Sequence, residues 1–252
     1  MAIEAVPRAA AGSPSGPDTH GLERVLELMA HDHLETAPAG QIGTAMELMV
    51  MHAEFPCLGA KSVFRRESAT HLVLDDIDDP STPQTLLEHL ADFAERTSDS
   101  EDFRSFMVTF RGPVPASEAD FEAALYRVLQ GMHDSDDERW APGVAADPAD
   151  PHFAFSAGGH AYFVVGMHPA ASRVARRAPL PTLVFNPHDQ FERLREDGRF
   201  EGLRETIRRR DTDLQGSVNP MAADHGDASE ALQYSGRQHD PGWQPPLDIH
   251  DG

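Results

Sequence analysis

Two apolar, β-prone runs separated by a pair of glycines constrain the fold more than any other feature of this 252-residue sequence. The runs are residues 152–156 and 161–167, and Gly158 and Gly159 lie between them. A Gly-Gly pair between such runs is typical of a β-hairpin, because glycine adopts the positive φ angles that a tight turn needs. The sequence therefore predicts a sheet, with these two strands at its centre beside a third strand at 182–185.

Helical and extended patterns alternate along the rest of the chain, which favours an α+β fold. We expect a mixed, largely antiparallel central sheet flanked by helices, in a single domain at 18–252 that follows a disordered lead-in at 1–17. The tail from residue 217 on is docked by specific contacts or partly disordered. The predicted helices lie at 22–29, 42–50, 86–93, 121–129, 191–196 and 200–210, and the further strands at 70–74 and 106–110.

Short polar residues ahead of several helical patterns are candidate N-caps, since their side chains can accept a bond from the first free amides of a helix. Asp18 or Thr19 fits the first helix, and Ser117 fits the fourth. Asn186 precedes Pro187, a residue that suits the first position of a helix, and is therefore a third candidate.

Charge and cysteine content exclude several classes of protein. The net charge of −21 argues against nucleic acid and anionic membranes as partners, because a phosphate-binding surface needs an excess of cations. Cys57 is the single cysteine, so one chain cannot form a disulfide or a multi-cysteine zinc site, and a cytoplasmic location is expected. No apolar run approaches the roughly 20 residues that a membrane helix requires. Residues 151–210 form a basic segment, with ten arginines against six acidic residues.

Four histidines lie near the predicted strand ends: His152, His160, His168 and His188. His168 follows an apolar strand and precedes a proline, at the type of strand-to-loop junction where ligands and catalytic groups occur. Arginines follow it at positions 173, 176 and 177, and their planar donors suit a carboxylate or phosphate. The same arginines could form a solvated basic turn, and the residues alone leave both interpretations open.

The sequence lacks the familiar motifs of several enzyme classes. Neither a dinucleotide-binding glycine motif nor a P-loop is present, and no nucleophile elbow or zinc-peptidase motif occurs. Dinucleotide, nucleotide and zinc-peptidase functions therefore have no motif to support them. A Ser-His-Asp arrangement assembled in space stays possible in principle, because a catalytic triad needs no fixed sequence order.

Five segments together closely resemble the YqcI/YcgG family. They are FPCLGAK at 55–61, PHFAFSAGGHAYFVVGMHPAASRVARR at 151–177, PTLVFNPHDQFERLREDGRFEGLRETIRRRD at 181–211, LQGSVNP at 214–220 and SEALQYSGR at 229–237. The resemblance implies a heme-dependent oxygenase that N-hydroxylates a guanidine or amine nitrogen of an amino-acid-like substrate, as in guanitoxin and N-hydroxyarginine biosynthesis. It further implies heme b, dioxygen and an external reductase as electron donor.

This resemblance assigns cofactor roles to residues already singled out. His168 is the favoured axial ligand of the heme iron, and Arg173, Arg176 and Arg177 would pair with the heme propionates. Cys57 is the alternative ligand, since a thiolate pushes electron density toward iron and favours O–O cleavage.

The substrate is expected at the turn that contains Asn186, His188 and Gln190, where polar side chains follow a strand. Asn219 and the segment 234–237 are expected near the heme or at the interface of a possible homodimer. The family pattern ends in Trp-x-Cys-Pro-Phe, whereas this chain has Trp-Gln-Pro-Pro-Leu at 243–247, which suggests that this element is structural or is altered in this member.

Two other functions compete with the oxygenase. One is a heme-binding sensor or carrier without turnover, which would use the same ligands. The other is a non-heme metal hydrolase that uses His152, His160 and His188. Substrate-dependent oxygen consumption and metal analysis discriminate among the three.

Overall fold

A computed structural model describes residues 21–98, 100–221, 227–240 and 242–250. The lead-in predicted at 1–17 and the candidate caps Asp18 and Thr19 lie outside these residues. The helices are α1 (Leu22–Met29), α2 (Ala39–Met51), α3 (Leu58–Arg65), α4 (Thr82–Thr97), α5 (Glu118–Asp134), α6 (Asp189–Glu196) and α7 (Phe200–Gln215). The strands are β1 (Ala69–Asp76), β2 (Ser105–Gly112), β3 (Phe155–Ala157), β4 (His160–Met167) and β5 (Thr182–Pro187).

The five strands form one open sheet in the order β1-β2-β5-β4-β3. The β1–β2 pair is parallel, and α4 provides the crossover that parallel neighbours need. The other three pairs are antiparallel. The predicted α+β class, with a mixed and largely antiparallel sheet in a single domain, is confirmed.

The predicted hairpin forms, and Gly158 and Gly159 turn it with φ angles of 57° and 74°. Its predicted place at the centre of the sheet is wrong, because β5 takes the middle position and β3 lies at the edge. The first strand is also shorter than predicted. The Asp150 carboxylate accepts the amide of His152 at 2.7 Å, and Phe153 pairs with Ala145 of the preceding loop, so these residues are held in the loop instead of the sheet.

All six predicted helices are present, and the structure adds α3, in which the charged residue Lys61 takes a buried position and breaks the apolar pattern that predicts a helix. Ser117 caps α5 as predicted by accepting the amide of Asp120. The prediction that Asn186 caps a helix is wrong: β5 continues through Pro187, and His188 is the N-cap of α6.

Side chains on the sheet alternate between two apolar layers, as the two-residue period of a strand requires. One layer packs against α4 and α5, and Gly166 of β4 lies in it, where a Cβ atom would meet Phe121 at 2.6 Å and Leu125 at 2.7 Å. The other layer packs against α1 and α2. Among the described residues, no helix is both long and apolar enough to cross a bilayer.

The described part of the C-terminal tail is docked on α5. The buried carboxylate of Glu122 accepts hydrogen bonds from Ser235, Arg237 and His239. Trp243 stacks on His239 with ring centroids 3.6 Å apart, so the tryptophan of the altered terminal element serves packing.

Candidate functional site

A cavity of about 350 Å³ lies on the sheet face opposite α4 and α5. Apolar side chains that alternate along the central strands form its floor, and residues from α2, α3, α6 and α7 form its walls. The floor consists of Met107, Phe163, Val165, Met167 and Val184. Phe163 and Met167 are four residues apart on β4, so the cavity extends over about 13 Å of strand. These dimensions suit a small-molecule or cofactor site.

Cys57 lines this cavity at the N-terminus of α3. Pro56 precedes it, and its sulfur accepts a hydrogen bond from the amide of Ala60 at 3.4 Å. Burial raises the pKa of the Cys57 thiol, while the amides of Ala60 and Gly59 and the charge of Arg176 act in the opposite direction. The Cys57 sulfur therefore lies in the cavity wall as a thiol with amide donors beside it.

Two of the three predicted arginines line the cavity. Arg173 pairs with Asp211 of α7 at 2.5 Å and also donates to the Ser217 carbonyl. Arg176 donates to the backbone carbonyls of Gly166 and Gln233, at 3.0 Å each, and its burial lowers its pKa to about 10.

Arg177 lies elsewhere. It donates to Glu23 of α1 and to the carbonyl of Ala171, and it does not line the cavity. Of the predicted propionate partners, only Arg173 and Arg176 are therefore in position to contact a ligand there.

The described lining of the cavity is electropositive, although the chain as a whole is strongly acidic. Its charged residues are Arg173, Arg176 and Arg208 against Asp211 alone, a formal charge of +2. An anionic ligand is favoured by such a lining, because a buried charge is stable only when it is paired.

His168 lies on the opposite side of the sheet from the cavity. Its ring stacks on Phe121 of α5 with centroids 4.3 Å apart, and it is fully buried. Neither ring nitrogen has a hydrogen-bond partner within the described chain, and burial lowers the pKa of the imidazole to about 4. The structure thus places the predicted axial ligand in the α5 layer, because strand alternation continues from Met167 into His168 and turns it away from the cavity.

Three polar side chains form what we call the amide end of the cavity: Ser105, Asn186 and Gln190. The Ser105 hydroxyl donates to Asn186 Oδ1 at 2.6 Å, and Asn186 Nδ2 donates to the Phe163 carbonyl at 3.2 Å. Gln190 Oε1 accepts the amide of Arg104 at 3.0 Å. Asn186 and Gln190, both predicted as substrate contacts, are therefore neighbours in the cavity wall.

His188, the third predicted substrate contact, does not line the cavity. Its ring lies 3.5 Å from the carboxylates of Glu192 and Glu230. Burial raises the pKa of Glu230, and the side-chain bond with His188 opposes this rise. His188 thus helps to pair a buried carboxylate behind the cavity.

The histidines proposed for a metal hydrolase do not converge. His152 and His160 are at the edge hairpin and its preceding loop, and His188 pairs with the carboxylates described above. In the ranges that the structure describes, no three His, Cys, Asp or Glu side chains are grouped so as to hold a metal ion.

The later family segments support the cavity from behind. Asn219 lines the cavity, whereas the other predicted residues, 234–237, do not. Gln233, just before them, lines it, and the carbonyls of Gln233 and Tyr234 accept bonds from Arg176. Gly236, with φ of 82°, lies against the methylene groups of Arg176, where a Cβ atom would approach within 3.2 Å.

Some lining residues were not found from the sequence. Asp211 and Arg208 come from α7, and Ser105 comes from the start of β2. The i, i+4 spacing of Ile207 and Asp211 places both on one helix face, which was an available signal. An aromatic cluster of Phe103, Phe163 and Phe191 borders the amide end, with centroid distances of 6.5 and 6.2 Å to Phe191.

The fold and the site define a single-domain α+β protein with a largely apolar, electropositive ligand cavity on one face of its sheet. The model of the YqcI/YcgG family matches residues 46–248, and the chain belongs to this family. The chain is similar to YcgG of Bacillus subtilis (strain 168), an uncharacterized protein, with 24% identity over 71% of this chain and 75% of YcgG. It is also similar to uncharacterized YqcI of the same organism, with 24% identity over 62% of this chain and 64% of YqcI. No solved structure matches the chain.

Proposed function

We propose that the protein is a cytoplasmic, heme-dependent oxygenase that N-hydroxylates a guanidine or amine nitrogen of an amino-acid-like substrate, with electrons from a separate reductase. The observation that carries this proposal is the position of Cys57 in the wall of an apolar cavity, at the N-terminus of α3. In this proposal Cys57, not His168, would hold the heme iron, because His168 lies on the other face of the sheet.

The residues of the cavity fit a heme in two respects. The amide of Ala60 already donates to the Cys57 sulfur, and N–H bonds of this kind stabilise a ligating thiolate. The lining charge of +2, which includes Arg208 and Asp211, matches the two carboxylates of a heme, and Arg173 and Arg176 are the residues that would hold them. A bound heme would supply dioxygen activation, which a thiolate ligand favours by pushing electron density toward the iron.

The remaining residues of the cavity would bind the substrate and keep out water. Phe103, Phe163 and Phe191 form an apolar wall beside the amide end, which limits the access of bulk water to the reacting nitrogen. Asn186 and Gln190 offer polar groups that orient a small substrate within this wall. Such fixed contacts raise the rate by holding the reacting atoms in place.

A spectroscopic comparison of two variants tests the proposal. Protein made with ample heme, or titrated with hemin, should show a Soret band and, when reduced under carbon monoxide, the long-wavelength band typical of thiolate ligation. We expect Cys57→Ser to lose that band and His168→Ala to retain it. Circular dichroism of both variants controls for unfolding.

Three results would contradict the proposal. If the protein stays colourless after hemin titration, heme binding is excluded. If the thiolate band persists in Cys57→Ser, Cys57 is excluded as the residue that binds the heme iron. A heme-loaded protein that forms no hydroxylated product with an amino-acid or guanidino substrate, dioxygen and a reductase would be a sensor or carrier instead.

A further inference from the structure

The orientation of Gln190 is set by the backbone of the residue that precedes β2. Gln190 is only 4% exposed, and its Oε1 accepts the amide of Arg104 at 3.0 Å. The position of Arg104 is fixed in turn, because its guanidinium pairs with Asp189 at 2.8 Å and donates to the Ser100 carbonyl. The carboxamide oxygen of Gln190 therefore has a partner within the protein, whereas its amide nitrogen is available to contact a ligand.

That nitrogen has no acceptor in the described part of the chain, where the one hydrogen bond of the Gln190 side chain is to its oxygen. The residue is more than nine-tenths buried and lines the cavity. A carboxamide nitrogen carries two N–H donors, and in Gln190 these are the donors available to a ligand in the cavity. Asn186 shows the same polarity, since Ser105 donates to its oxygen and its nitrogen uses one of two hydrogens on the Phe163 carbonyl. The amide end is consequently rich in donors.

A donor-rich end selects a ligand group that accepts hydrogen bonds. No carboxylate lines this end, since Asp211 of α7, the one acidic residue of the described lining, pairs with Arg173. A guanidinium or ammonium group would therefore find no counter-charge beside Gln190. A carboxylate oxygen would accept from the amides of Gln190 and Asn186 and would satisfy both.

We propose that the amide end is a subsite for the carboxylate of the substrate, with Gln190 as its main donor and a specificity-determining residue. This inference rests on the proposed function, since it assigns the substrate to the same cavity. The aromatic cluster connects this subsite to the proposed heme ligand: a Cβ atom at Gly59 would lie 3.8 Å from the Cys57 sulfur and 3.9 Å from the Phe103 ring. A substrate held by its carboxylate at the amide end would direct its nitrogen-bearing chain toward Cys57.

The substitution Gln190→Glu separates this role from a structural one. Glutamate has the same shape and still accepts the Arg104 amide, but it replaces the cavity-facing donors with a carboxylate oxygen. Calorimetry on hemin-loaded protein should show L-arginine binding more tightly than agmatine, which lacks the carboxylate. In Gln190→Glu we expect the affinity for L-arginine to fall at least about tenfold, because a bond to a charged group is lost and a like charge is added. The affinity for agmatine should not fall.

A second pair of probes makes the test independent of heme and of the natural substrate. Hemin-free protein should bind 3-phenylpropionate in preference to 3-phenylpropylamine, and Gln190→Glu should reverse that preference. Gln190→Met should weaken the acid without improving the amine. Gln41→Glu, which makes the same change on an exposed position of α2, is the matched control.

Equal binding of the acid by wild type and Gln190→Glu, or no binding of the acid at all, would overturn the subsite. Circular dichroism and thermal melting show whether each variant is folded. If Gln190→Glu is unfolded, the loss of acid binding is tested with Gln190→Met instead. If the affinity for 3-phenylpropionate changes with residue 190 while hemin does not bind, the subsite is supported and the heme proposal fails. If hemin binds through Cys57 and the affinity for 3-phenylpropionate is the same in wild type and the Gln190 variants, only the subsite fails.

Discussion

His168 and Cys57 both have side chains that can bind a metal, but the two side chains lie in different surroundings. Cys57 has an amide donor beside its sulfur and a cavity in front of it. His168 has an aromatic ring against its face and no hydrogen-bond partner for either nitrogen within the described chain. Desolvation therefore keeps the imidazole neutral, and the residue acts as a flat core side chain between β4 and α5.

A pH-dependent loss of stability should follow from this burial. The pKa of His168 is about 4 in the folded protein and 6.5 as its ordinary value, so protonation favours the unfolded chain. The contribution of the neutral ring is complete above pH 6.5 and is lost as the pH falls toward 4, with about 2 kcal/mol gone at pH 5. We expect His168→Phe, which cannot titrate and can stack on Phe121, to lose about 2 kcal/mol less than wild type between pH 7 and pH 5.

Urea denaturation at the two pH values measures this difference. His160→Phe, at an exposed position on the hairpin, is the control and should retain the wild-type dependence. An identical pH dependence in His168→Phe and wild type would show that another group is responsible.

Among the elements, α7 is held differently from the other long helices. It has 16 residues and none is buried, whereas α5 buries eight of its 17. Polar contacts fasten it: Asp211 pairs with Arg173, and Gln215 accepts the amide of Val174 at 2.8 Å. Since Ile207, Arg208 and Asp211 line the cavity, the helix forms part of its cover.

We predict that the amide hydrogens of α7 exchange faster than those of α5, by at least about tenfold, because few apolar contacts oppose local opening. Hydrogen exchange followed by mass spectrometry measures both helices in one experiment. Asp211→Asn should accelerate exchange in α7 further, whereas Glu205→Gln, on an exposed position of the same helix, should not. Protection of α7 equal to that of α5 would contradict this account.

The existence of most elements could be predicted from local patterns. Helical spacing identified α2, α4 and α5, and the glycine pair identified the turn between β3 and β4. The short helix α3 could not be found in this way, although it presents Cys57. One of its buried positions is the charged residue Lys61, which breaks the apolar pattern, and the helix is held by contacts such as the bonds from Lys61 to the carbonyls of His52 and Ala53.

At the scale of the whole molecule, Glu122 connects the C-terminal segment to α5, the helix that packs on one face of the sheet. Its carboxylate is 7% exposed and accepts bonds from residues more than 110 positions away in the chain. The same segment includes Gln233 and Tyr234, whose carbonyls accept bonds from Arg176 behind the cavity. Docking of the tail and completion of the cavity wall are thus coupled.

Glu122→Gln should destabilise the protein by about 3 kcal/mol, because it removes the buried charge that pairs with Arg237 and His239. Urea denaturation gives the magnitude, and limited proteolysis should cut the tail of the variant faster than that of wild type. Glu88→Gln, exposed on α4, is expected to change stability by less than about 0.5 kcal/mol. A tail that resists the protease equally in both proteins would mean that other contacts hold it.

The sequence by itself determined the α+β class, the hairpin, the basic central segment and the set of residues whose side chains can bind a metal, cofactor or substrate. These features depend on hydrophobic period, turn chemistry and composition. Only the tertiary structure decided which of those residues meet. Strand alternation turned His168 away from the cavity, and a short helix brought Cys57 to it. The sheet order placed Ser105, Asn186 and Gln190 together although they are up to 85 positions apart. Local pattern fixes the direction of a side chain relative to its own element, whereas contact across elements depends on how the apolar layers pack.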